Sequence, residues 1–334
     1  MSHLLFRVST RFAHAFAREP RGAASVSAGR SSVLFAMLCA LAGCSALSER
    51  QLRADGPTPY VRCVAGPAPH ARSDKLATVS LELRDRELHL SHSAPSALRL
   101  AVFAAAGMGG PPPASALEQL RGMPADVLLL LGGLGESAEQ ATASANALAG
   151  LGRLVLVVLG GRDGYRNTRS ALEALGDGAS VVDATPLRSI KIGEDVLIPW
   201  GGAEQGRYAL DDARCGFGAH DVDEAVQALG PARPGERRWL VGWQALPPVG
   251  SERAAVRDAH ELGAELVRLA ERLGVRGSIA AWGASPVQLA AAGPLTDLLA
   301  PRAWGPPLEL ADGTIVPHAP RLLVFEPGGP RIER

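Results

Sequence analysis

The chain has 334 residues, enough for one large domain or two ordinary ones, and its 47% hydrophobic content can fill a sizeable core. Only 4% of residues are aromatic, so Ala, Leu and Val must do most of that filling. The formal net charge of +0 offers no general attraction to nucleic acid, and the arginines alternate with acids, so no nucleic-acid partner is expected.

The N-terminus carries the first pattern. Arg7, Arg11, Arg18, Arg21 and Arg30 stand against Glu19 alone, and an apolar stretch from Val33 to Gly43 follows. That stretch is too short to span a bilayer and suits the core of a secretory signal. It ends in Leu41-Ala42-Gly43-Cys44, which resembles the lipobox of bacterial lipoproteins. There, small residues fit the signal peptidase and the cysteine thiol carries the lipid. The resemblance implies a signal peptide over 1–43, lipidation at Cys44, and an exported protein anchored at the cell envelope, on its periplasmic or outer face. A buried element with a structural cysteine is the competing reading. Cleavage would leave Cys44, Cys63 and Cys215. In an oxidising compartment Cys63 and Cys215 can pair, although two separate buried thiols fit the sequence equally well.

From Ser45 to about Asp74, Pro, Gly, Arg and Ala occur without periodicity, which predicts a flexible tether over 44–75 ahead of a domain at 76–334. Next, "LATVSLELRDRELHLSH" alternates apolar and polar residues and predicts a hairpin turning near Asp85 and Arg86. From Leu98 onward, continuous apolar strands alternate with helices. These are "LRLAVF", "ADVLLLL" and "LVLVV", each followed by a glycine-bearing loop and a helical stretch. Such strands predict a mostly parallel sheet covered on both faces. "RSIKIGEDVLIPW" then predicts an antiparallel hairpin. A helix from Val222 to Leu229, the strand "RRWLVGW", a long amphipathic helix from Ala254 to Leu273 and the strand "GSIAAW" follow. The tail predicts short strands around an Asp-Gly turn. Together these elements predict an α/β fold with two mixed sheets packed between helices, a four-layer α/β/β/α sandwich.

The order of these units resembles the calcineurin-like metallophosphoesterases, over roughly Leu98 to Pro286. In that family, Asp, Asn and His at five strand ends hold two metal ions, which activate water and clamp phosphate oxygens. Here the strand ends read "VFAAAG", "LLGGLGE", "LGGRD", "LVGWQALPP" and "AWGASP". The resemblance therefore sets Ala104, Ala106, Gly133, Gly161, Arg162, Trp243, Ala284 and Pro286 at ligand positions, and only Asp163 keeps an acidic side chain. Loss of the set implies no metal, no cofactor and no catalytic residue. The expected role is binding or structural, through the membrane anchor and an unidentified envelope partner. Two rivals remain. One is an active phosphoesterase rebuilt around Asp163, Glu136 or the His220 region; the other is a small-anion sensor using Arg162 and the old cleft.

The remaining candidates have plainer readings. Asp163 can brace Arg162 or cap the following helix. Glu136 can sit in the first turn of its helix. Arg162, Arg166 and Arg169 can make an anion pocket or stand separately on the surface. His89 and His92 share a strand at odd spacing and so face opposite ways. "GMGGPPP" lacks the Gly-Lys-Ser/Thr ending of a phosphate loop and reads as a bend.

Overall fold

The computed structural model describes residues 61–64, 69–92, 97–105, 111–176, 178–204, 215–246, 264–282, 293–294, 297–304, 308–309, 315–316 and 319–333. All of them fall in one compact unit, Leu52–Arg334. The first strands are β1 (Val61–Arg62), β2 (Arg72–Leu76), β3 (Val79–Arg84) and β4 (Glu87–His92). The parallel strands β5 (Leu98–Ala105), β6 (Val127–Leu131), β7 (Leu154–Val158) and β8 (Val181–Asp183) follow. Between them lie α1 (Ala114–Gly122), α2 (Ala138–Ala149) and α3 (Tyr165–Glu173).

The middle of the chain forms β9 (Ser189–Ile192), β10 (Asp195–Trp200), β11 (Ala203–Glu204) and β12 (Cys215–Phe217). It continues with α4 (Ala219–Leu229), β13 (Arg237–Gln244), α5 (Ala264–Leu273) and β14 (Val275–Trp282). The long predicted helix is thus seen over its second half, while residues 254–263 lie outside the described residues. The tail holds β15 (Gly293–Pro294), β16 (Asp297–Leu299), β17 (Arg302–Trp304) and β18 (Leu308–Glu309). It closes with β19 (Ile315–Val316), β20 (Arg321–Glu326) and β21 (Gly329–Glu333).

Two mixed sheets result. Sheet I runs β16-β14-β13-β10-β9-β4-β3-β2, and sheet II runs β15-β21-β20-β5-β6-β7-β8, with β17 beside β5. Burial explains both sequence patterns. Both faces of β6 and β7 are covered, so these strands are apolar throughout, whereas β3 buries alternate residues. The two-residue turn between β3 and β4 puts both Asp85 and Arg86 at positive φ, 48° and 67°. That geometry matches strand twist but is unusual for residues with a Cβ.

Three cores define the layers. Leu81, Leu88, Leu197 and Val241 of sheet I meet Leu100, Leu129 and Leu156 of sheet II between the sheets. On the outer side of sheet II, Phe103, Leu128 and Val155 meet Leu120, Leu148 and Leu172 of the three helices. On the outer side of sheet I, Ile198 and Leu240 meet Val222 of α4 and Leu266, Leu269 and Leu273 of α5. A buried leucine contributes about 1.5–3 kcal/mol, so the three-leucine stripe of α5 outweighs the weak intrinsic stability of a ten-residue helix. The architecture is the four-layer α/β/β/α sandwich.

The tether boundary needs correction. Residues assigned to a tether at 44–75 include β1, Cys63 and nearly all of β2, the edge strand of sheet I. Cys63 is fully buried and disulfide-bonded to Cys215, so β1 lies parallel to β12. Composition misread this segment because its order comes from a covalent bond and edge pairing, not from periodicity.

Candidate functional site

The C-terminal ends of β5, β6, β7 and β13 carry the loops that the sequence marks as candidates, and the chain brings them together. Gly132, just past β6, donates its amide to Val158 O of β7 at 2.8 Å. Ala104 donates to Pro301 O at 2.9 Å, and Ala104 is buried. Across this junction lies the indole of Trp243, from the end of β13. A methyl group added at Gly132 would stand 2.5 Å from Trp243 Cδ1, and one at Gly160 would stand 2.6 Å away. At Gly161 it would be 3.4 Å from Cζ3 and 2.6 Å from Ala203 Cβ. The glycines are needed because the ring rests on their backbone. Gly133 is restricted twice over, by φ of +81° and by Ala105 Cβ and O, both 2.6 Å from any added methyl.

Asp163 is 1% exposed and does neither of the things the sequence suggests. It makes no ion pair with Arg162, whose side chain is exposed, and α3 begins after Gly164 with no side-chain cap. Its carboxylate instead accepts backbone amides: Gly160 at 2.7 Å, Gly133 at 3.0 Å and Gly135 at 3.2 Å. Burial pushes this carboxyl above its usual range, while the amide hydrogens of Gly160, Gly135, Gly133 and Leu134 oppose the shift. Further bonds fasten the same two loops. Gly164 donates to Gly135 O at 3.0 Å, and Asn167 Nδ2 donates to Glu136 O at 3.2 Å. Backbone donors leave no residue signature, so no signal in the sequence could have located this network.

The other candidates are dispersed. Glu136 precedes the helix instead of entering its first turn; Ser137 is the N-cap, in a reciprocal cap with Gln140. Arg169 turns to Glu173 at 2.7 Å and Tyr165 Oη at 3.0 Å, so the three arginines of 162–169 do not share one pocket. His220 lies on α4, 3.7 Å from Glu224. His92 meets Asp126 at 3.2 Å, while His89 lies on the other face of β4 beside Glu87. Among the described residues, no three His, Cys, Asp or Glu side chains converge as a metal-ligand group. Cys44, Ala106, Ala284 and Pro286 lie outside the described residues.

Comparison with known proteins returned solved structures at low similarity only. No protein-family model matches the sequence, and no curated protein matches it. One crystal structure shares 13% identity at a TM-score of 0.43, covering 71% of this chain and 99% of the other. The crystal structure of TT1561 of Thermus thermophilus shares 11% identity at a TM-score of 0.38, covering 56% of this chain and 82% of that one. At these values no functional residue is carried across.

Proposed function

We propose that this chain is a lipid-anchored, exported protein with a metallophosphoesterase-like domain that performs no phosphoryl chemistry and acts by binding, or structurally, at the cell envelope. One observation carries the reading: the Trp243 indole lies on Gly132, Gly160 and Gly161, where a dinuclear centre would need open space and ligands. The residues present do not fit two metal ions. Ala104, Gly133 and Gly161 have no donor side chain, and the one acidic remnant, Asp163, is turned into the protein and engaged by amides. Without metal, such a site has no activated water and no charge to stabilise a transferring phosphoryl group.

The rival sensor reading draws on a second observation. Arg302, paired in register with Ala104, has its pKa lowered by burial and then by repulsion from Arg162, so two cations gather near the same strand ends. Phosphodiester turnover by purified protein with added manganese tests the main reading. It predicts a rate equal to the no-enzyme blank. Turnover that Asp163→Ala abolishes would replace it with the rebuilt hydrolase.

A further inference from the structure

The two sheets leave a flank open where their edge strands face each other, β2 of sheet I and β8 of sheet II. A cleft of about 720 Å³ runs along β8 there, beside the end of α3, and shares no residue with the strand-end loops. Leu172, Val181 and Pro186 give it apolar walls. This size and lining suit a small molecule with an apolar body and one or two polar anchors.

The charges along the cleft do not balance. Arg72 closes on Asp74, with Nε 3.3 Å from Oδ2, and its Nη1 donates to Ala179 O at 3.1 Å. Arg169 closes on Glu173 at 2.7 Å and donates to Tyr165 Oη at 3.0 Å. The third lining carboxylate, Asp183, has no ion pair among the described residues. Two guanidiniums thus stand against three carboxylates, with His70 exposed at the rim.

Asp183 faces this opening. Val182 packs between the sheets and Val181 in the core beneath the helices, so strand alternation turns Asp183 to the helix side with Val181. The charges it meets there, Arg169 and then Glu173, belong to α3 and line the cleft. The Thr185 amide donates to Asp183 Oδ1 at 2.9 Å and fixes the carboxylate, while the residue stays partly open to solvent. Burial pushes this carboxyl above its usual range, and the hydroxyl and amide of Thr185, followed by Arg169, only oppose the shift. A cation arriving beside it would favour the ionised form and offset that burial.

We infer that this cleft binds a small organic cation, an ammonium or guanidinium on an apolar body, with Asp183 pairing its charge and Leu172, Val181 and Pro186 covering the body.

Calorimetric titration of the purified protein with phenethylamine, benzylguanidine and the neutral phenethyl alcohol tests the inference. It is run at about pH 8, where free imidazole is neutral. At least one cation should bind tenfold or more tightly than the alcohol, and the better of the two identifies the headgroup. Asp183→Asn keeps an acceptor for the Thr185 amide and should weaken that cation at least fivefold. Arg169→Gln removes the nearest competing cation and should tighten binding at least twofold, which loss of a merely structural side chain would not do. Melting curves show whether Asp183→Asn folds; if it does not, Arg169→Gln alone decides. Glu118→Gln, on the exposed face of α1, should leave the affinity unchanged. Equal binding of alcohol and cations, no binding by any probe, affinity unchanged or weakened in Arg169→Gln, or a loss in Glu118→Gln as large as in Asp183→Asn would overturn the inference. None of these outcomes depends on whether the strand-end site is catalytically silent.

Discussion

The Asp163 carboxylate accepts the Gly133 amide hydrogen at 3.0 Å and thereby ties the loop after β6 to the loop after β7. A side chain that could serve metal chemistry is here used as a clamp. Asp163→Ala would strand three amide donors now bonded to it. Each unsatisfied buried donor costs about 1–3 kcal/mol, so a loss of at least about 3 kcal/mol is expected in urea unfolding.

The same clamp should respond to pH. Burial raises the Asp163 pKa above its ordinary value of 3.8. A carboxyl raised by folding contributes stability that is fully present below its unfolded pKa and is lost as pH rises through the folded one. The stability of wild type relative to Asp163→Asn, which does not titrate, should therefore fall as pH is taken upward from about 4. A relative stability that climbs with pH would mean the amides hold the group ionised and outweigh burial.

Adding a carboxylate at Gly133 should do harm. Gly133→Asp would force a side chain into φ of +81° and against Ala105. The left-handed backbone alone costs about 1–2 kcal/mol, with the overlap added to it. Thermal melting should show a clearly lowered midpoint, and phosphodiester turnover should stay at the blank.

Much of this fold was legible because its strongest signals are local. The apolar runs Val127–Leu131 and Leu154–Val158 state their own burial, and Gly193 marks the β9–β10 turn. What escaped depends on partners distant in sequence. β1 and β12 are too short to show a period and are joined through Cys63 and Cys215, 152 residues apart. At the candidate site, the lack of metal-ligating side chains at Ala104, Gly133 and Trp243 could be read, since residue type is visible in a sequence. That Trp243 lies over Gly160, or that Asp163 serves amides, could not be read, because both follow from how loops of different strands meet.

The disulfide links stability to compartment. Closing a loop of this length constrains the unfolded chain by about 4–5 kcal/mol. Cys63→Ser with Cys215→Ser, or reduction of wild type, should lower the unfolding free energy by an amount of that order. Unchanged urea midpoints with and without reductant would exclude a stabilising role for the bond.

Anchoring rests on the "LAGC" segment. Wild type should partition with membranes and take up labelled fatty acid, whereas Cys44→Ala should be unlabelled and released. Each buried methylene of an acyl chain contributes about 0.8 kcal/mol, so several chains hold a protein without a spanning helix. Labelling that persists in Cys44→Ala would remove the lipoprotein assignment.

The central claim, that packing has closed the strand-end site to metal chemistry, is tested most directly by equilibrium metal binding. Purified protein would be dialysed against manganese, iron or zinc and its bound metal measured by elemental analysis, for wild type and Asp163→Ala. The indole on Gly132 and Gly160, and the engaged Asp163, predict no stoichiometric metal in either protein. Two metal ions per wild-type chain, lost in Asp163→Ala, would contradict the account.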